Sequence, residues 1–169
     1  VDDGDNNSIE LGVKFRSDTA GYITGIRFYK SAANTGVHVG NLWSSTGTLL
    51  ATATFTNESA SGWQQVIFAN PVLIAANTTY VASYFAPKGH YSADSYYFAQ
   101  SGADNPPLHA LESGVDGSNG VYFYPPLNTI GGFPSSSSNS SNYWVDVVYT
   151  SSNTYAISGT ILGPGGAGA

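Results

Sequence analysis

Residues 10–30 read ELGVKFRSDTAGYITGIRFYK, and the alternation in this stretch decides the fold. Leu11, Val13 and Phe15 fall on one side of an extended chain. Glu10, Lys14 and Arg16 fall on the other, which is the period of two expected of a half-buried strand. After a polar turn the pattern resumes. It predicts Tyr22, Thr24, Ile26 and Phe28 on one face, with Arg27 and Tyr29 opposite.

Outward from this pair the same signature recurs. Residues 38–55, HVGNLWSSTGTLLATATF, read as a hairpin. Val39 and Trp43 lie on its first arm, Ser45, Thr46 and Gly47 turn it, and Leu49 onward returns. Residues 62–71, GWQQVIFANP, form a strand with Val66 and Phe68 on one side. Pro71 is expected to close it, because proline cannot donate to a ladder. TTYVASYFAP ends at Pro87, and NYWVDVVYT is the last clear strand. No segment keeps a helical period. Short strands punctuated by Gly, Asn, Ser and Pro predict an all-β antiparallel sandwich, jelly-roll-like in its winding. If its first and last long strands are neighbours, Asp146 pairs with Lys14 or Arg16. A long aromatic-rich loop region runs from 86 to 142. Within it HALESG is expected to form one helical turn, GVYFY a short strand, and SSSSNSSN an exposed tract.

Composition narrows the setting. Charged residues make up 9% of the 169, against roughly 25% in ordinary soluble domains. Solubility must then come from Ser, Thr, Asn and Gly, a surface that points to an extracellular, secreted or cell-surface module. Five basic residues and a net charge of −6 argue against nucleic acid as a partner, since phosphate binding needs clustered Lys and Arg. No run of about 20 apolar residues crosses a membrane. Cysteine is absent, so neither disulfide nor thiolate chemistry is open to the chain. Residues 1–152 are expected to be the sandwich module, with 1–8 a frayed head or a cation-holding loop. Residues 153–169, Gly-rich toward their end, read as a linker and the truncated start of a following β-repeat. With no export signal in view, the expectation is that one was removed or that the chain is a piece of a longer protein.

The stretches LGVKFRSDTAGYITGIRFYK, NTGVHVGNLWSSTGTLLATATFTNESASGWQQVIFANPVLIAANTTYVASYFAPKGHYSAD and NYWVDVVYT together resemble a bacterial family catalogued as domain of unknown function 4082. The resemblance covers roughly residues 8–152. It implies a module of large secreted proteins, set beside immunoglobulin-like, fibronectin-like or cadherin-like repeats, with neighbouring β-repeat domains of the same chain as partners. It transfers no activity.

The residues themselves suggest where a site would lie. Sugars bind by laying their apolar faces on flat rings while polar groups hold their hydroxyls, and rings supply rigid contact area. Residues 87–100, PKGHYSADSYYFAQ, follow a strand end, a usual position for binding loops. Lys88, His90 and Tyr91 offer a charge, a donor or acceptor, and a ring. Trp43 near the hairpin turn, Tyr122, and Trp144 on the strand face of Asp146 complete the expected polysaccharide or glycan site. Each ring fits a sandwich core equally well, and Trp63 at a strand start reads as a packing tryptophan. His38, His90 and His109 with Asp94 are candidate ligands of a transition metal, though their spacing matches no metal motif. Structural Ca2+ is the alternative cation, with oxygen ligands in DDGDNN, GADNPP or ESGVDGSNG. No pair of carboxylates and no GxSxG elbow signals a hydrolase. Three readings result: a non-catalytic carbohydrate-binding module, a structural or adhesive spacer, and a metal-dependent enzyme built on a histidine cluster.

Overall fold

A computed structural model describes residues 2–152. The expected linker and following repeat at 153–169 lie outside the described residues. Among the described residues the chain forms eleven strands and no helix. In chain order they are β1 (Ile9–Ser17), β2 (Gly21–Lys30), β3 (Val39–Ser44), β4 (Leu49–Thr54), β5 (Gly62–Ile74), β6 (Tyr80–Ala86), β7 (Ala103–Asn105), β8 (Leu108–Ala110), β9 (Val121–Phe123), β10 (Ser136–Ser137) and β11 (Val145–Ser151).

Two antiparallel sheets pack face to face. The larger runs β10-β9-β1-β6-β3-β4, with β8 also on β1 and β7 on β8; the smaller runs β11-β2-β5. The pairings nest. The β3–β4 hairpin lies inside β2–β5, which lies inside β1–β6, and successive pairs alternate between sheets. β11 then returns beside β2. This is the wound-up double hairpin of a jelly roll.

The core follows from period two. Leu11, Val13 and Phe15 of β1 face Ile23, Ile26 and Phe28 of β2 across the layer, joined by Leu42, Phe68, Ala82 and Tyr84. Phe28 and Tyr84 stack at 4.2 Å. Each such ring contributes roughly 1.5–3 kcal/mol by leaving water.

Several expectations change. In β2 the register slips between Ile23 and Gly25 on one side and skips Thr24 on the other. Thr24 is a bulge, and an extra residue flips every side chain before it. Ile23 therefore joins Ile26 in the core, while Tyr22 is exposed. Pro71 does not end its strand: β5 runs on to Ile74. The proline sits in the unpaired stretch between Ile67 and Val72, where its missing N–H costs nothing. Asp146 pairs with neither Lys14 nor Arg16, because β1 and β11 belong to different sheets. Its partner is Arg27, directly across from it in register, at 2.9 Å. The first two residues of the expected helical turn, His109 and Ala110, belong to β8 instead, recruited by the edge of β1.

The head is not frayed. Asp2 bridges to Ser92, and the Asp3 and His90 N–H groups donate to the Tyr91 and Asp5 carbonyls. Gly89 allows the close approach: it sits at φ +63, and a Cβ there would collide with the Asp5 carbonyl. Glu10, expected in solvent, is wholly buried. It points away from the sandwich core, as its parity requires, but a loop over 125–135 covers it.

Candidate functional site

The outer face of the smaller sheet carries the exposed aromatic surface. Period two puts Arg27 and Tyr29 outward on β2. On β5 the inward set is Gln64, Val66 and Phe68, so Trp63 must point out. Tyr29 and Trp63 are direct register partners and meet edge to face at 5.7 Å, the favoured arrangement of two ring quadrupoles. They remain 42% and 45% exposed. The Arg27 guanidinium lies over the Trp63 ring at 4.8 Å, a cation–π contact. Its Nη2 also donates to Asp146 Oδ2.

A second aromatic pair faces the first. Trp144 sits just before β11 at φ +52. Its backbone N–H donates to Asn142 Oδ1, and its carbonyl accepts from Tyr29 N–H. The indole Nε1–H donates to Asp94 Oδ2 at 2.8 Å, which fixes the ring plane. Tyr97 closes edge to face on it at 5.8 Å. Two adjoining clefts of about 260 and 250 Å³ share Trp63 and Trp144 in their walls. The first is completed by Tyr29, Ser92 and Asp94. The second continues past Tyr97 to Asn105, Leu108 and His109 on the β7–β8 hairpin.

His109 pins that hairpin. Its Nδ1 is 2.7 Å from Asp104 Oδ1 and its Nε2 is 2.9 Å from Asp18 Oδ2. The hydrogen bonds to the two carboxylates hold the imidazole above the usual histidine range.

The expected site residues do not converge. Trp144 is in the groove. Trp43 is 8% exposed, donates through Nε1 to Ser83 Oγ, and lies under Phe133. Tyr91 is buried against Tyr143. Both are lost as platforms because loops cover them. Lys88 is exposed in the turn after β6. His90, at φ +53, faces Asp2 at 3.3 Å. Tyr122 stands on β9 beside Tyr124. The histidine cluster does not form. His38 is buried against Glu58 and Asn34, and His90 and His109 take other carboxylates. Burial lowers the His38 pKa despite the Glu58 carboxylate. Asp94, the fourth candidate ligand, is engaged by the indole of Trp144. No group of three His, Cys, Asp or Glu suited to a metal occurs among the described residues. In the head, Asp2 and Asp5 accept from Gly4 and Asn7.

Sequence reading missed Trp63, Tyr29, Arg27 and Tyr97. The signal for the first three was present: the parity that sends Val66 and Phe68 inward sends Trp63 outward, on the side where Arg27 and Tyr29 were already expected. Tyr97 has no periodic signal, since it lies in a loop.

A family model described as Domain of unknown function (DUF4082) matches residues 1–145. The chain belongs to this family. No curated protein and no solved structure matches it.

Proposed function

We propose that this member of the DUF4082 family is a non-catalytic carbohydrate-binding module of a larger secreted or surface protein, with the groove between Trp63 and Trp144 as its glycan site. One observation carries the reading: two partly exposed indoles, each met by a tyrosine edge, stand in the walls of both adjoining clefts. Partly exposed rings of this kind are the surface that apolar sugar faces stack on. Asp94, Asp146 and Asn105 stand at the walls, and Arg27 lies over the Trp63 ring, where sugar hydroxyls need donors and acceptors. Asp94 and Asp146 are each occupied, one by an indole N–H and one by a guanidinium. That suits fixed acceptors better than a proton-transferring pair, which supports binding over turnover. The low-charge surface supports an extracellular setting, with neighbouring β-domains of the parent chain as its partners.

The test is a glycan array followed by calorimetry, run with calcium and again with chelator. Binding to one glycan class, lost in Trp63→Ala and Trp144→Ala and retained without calcium, is the expected result. Absence of binding to any glycan under both conditions would leave the spacer reading in its place.

A further inference from the structure

A second cavity, of about 250 Å³, shares no lining residue with the groove. It lies where the tied-down head, β9 and the segment before β11 meet. Four tyrosines line it, Tyr91, Tyr122, Tyr124 and Tyr143, together with Asp3. They form two edge-to-face pairs, Tyr91 with Tyr143 at 5.7 Å and Tyr122 with Tyr124 at 5.6 Å. The floor is Ile9, and Ser95, Asn139 and Ser141 add polar atoms. The Tyr124 hydroxyl donates to Asp5 Oδ2 at 2.6 Å. The Tyr91 hydroxyl faces the Asp3 carboxylate.

Two features select a ligand. Among the described residues no Lys, Arg or His lines the cavity, so none of them brings a cation to Asp3 within it. His90, on the neighbouring turn, faces Asp2. The phenols stay protonated: burial and the adjacent Asp3 carboxylate push Tyr91 above the usual tyrosine range, and burial first and foremost pushes Tyr124 and Tyr143 up to about 12. The cup therefore offers neutral hydroxyls around one carboxylate. Neutral phenols are poor ligands for hard cations, which prefer carboxylate and carbonyl oxygens. They are good partners for alcohols, donating and accepting alike.

We infer that this cup is a second binding site, specific for an amino sugar with a free primary amine, whose ammonium pairs with Asp3 while its hydroxyls meet the tyrosines. A charge-assisted hydrogen bond of this kind is about twice as strong as a neutral one. An N-acetylated or neutral sugar can still donate a hydrogen bond to the carboxylate, but it brings no cation to pair with it.

The experiment titrates the chain with glucosamine, N-acetylglucosamine, glucose and methylamine, followed by the NMR signals of the tyrosine rings. Glucosamine is expected to shift the signals of Tyr91, Tyr122, Tyr124 and Tyr143 and to bind at least tenfold tighter than the N-acetylated sugar. Asp3→Asn should remove that preference, since the Asp3 backbone N–H that ties the head to Tyr91 is kept. Trp63→Ala should leave it intact, which separates this site from the groove. Equal binding of glucosamine and glucose, preference surviving in Asp3→Asn, or no tyrosine shift with any ligand would each overturn the inference. Methylamine binding as tightly as glucosamine would overturn the assignment to a sugar.

Discussion

The outer faces of the two sheets carry similar side chains and meet opposite fates. On the larger sheet, Trp43, Asn41, Ser83 and Glu10 stand together on β3, β6 and β1. Trp43 donates to Ser83, and Asn41 donates to Glu10 Oε1 at 2.9 Å, as Ser83 does. The loop over 125–135 roofs them. Phe133 packs on Trp43 at 5.8 Å, and Gly131 rests on the Glu10 carboxylate, where any Cβ would collide. On the smaller sheet, Trp63, Tyr29, Arg27 and Asp146 have no such roof among the described residues. A tryptophan, a carboxylate and polar neighbours thus make a small closed core in one place and an open groove in the other. The difference lies in whether a distant connection crosses the face, and composition on the face itself does not report it.

Truncation should expose this contrast most strongly. Trp43→Ala is expected to cost about 3–5 kcal/mol, the usual loss for a buried aromatic. Trp63→Ala should change stability by only about 0.5 kcal/mol, as an open surface site does. Urea denaturation of both variants measures it, and equal losses would erase the distinction between roofed and open faces.

Next in size is the pH response of the roofed face. Burial pushes the Glu10 pKa from 4.5 up to about 7, although Ser83 and Asn41 donate to the carboxylate. Below pH 4.5 folded and unfolded states both hold the proton. Above it only the folded state does, so stability falls with rising pH until about 7, by about 3 kcal/mol at order of magnitude. His38 acts in the opposite sense: its lowered pKa gives stability that is present above pH 6.5 and lost as pH falls below it. The Glu10 share is therefore read as the difference between wild type and Glu10→Gln across pH 4–8. Parallel curves would mean that Glu10 titrates alike in the folded and unfolded states.

On the open face the expected effect is on binding. Trp144→Phe keeps a ring but removes the hydrogen bond to Asp94. It should retain part of the glycan affinity that Trp144→Ala loses, with the alanine variant down at least tenfold, or about 1.4 kcal/mol. Calorimetry distinguishes them, and equal affinities would detach the indole from the site.

The smallest effect belongs to the rim of the groove. His109 is half-buried and both its carboxylate partners are exposed, so its clamp on Asp104 and Asp18 is worth about 1 kcal/mol or less after solvent screening. Its raised pKa means that this contribution is complete below pH 6.5 and is lost as pH rises through the folded value. An NMR titration of the imidazole in wild type and in Asp104→Asn checks it. An unchanged titration in the variant would remove Asp104 from the clamp.

Local periodicity made most of the fold legible. The strands around Leu11, Phe28, Trp43 and Tyr84 are where alternation put them, because one face of each must leave water. It failed at Thr24, where a bulge adds a residue that no alternation encodes, and at Pro71, where the ladder is already interrupted. The site was less legible. Trp144 was reached through its parity with Asp146, and the same argument applied to Val66 and Phe68 would have reached Trp63. Trp43 and Tyr91 were not separable from true platforms, since a roof from residues far along the chain decides their exposure.

By itself, the sequence determined the all-β architecture, the hairpin at Ser45–Gly47 and the outward side of β2, all set by short-range alternation and turn chemistry. Only the tertiary structure decided which outward face stays open. The loop at 125–135 folds onto Glu10 and Trp43, and the head packs onto Tyr91. Such contacts join residues tens of positions apart, and nothing local in the chain carries them.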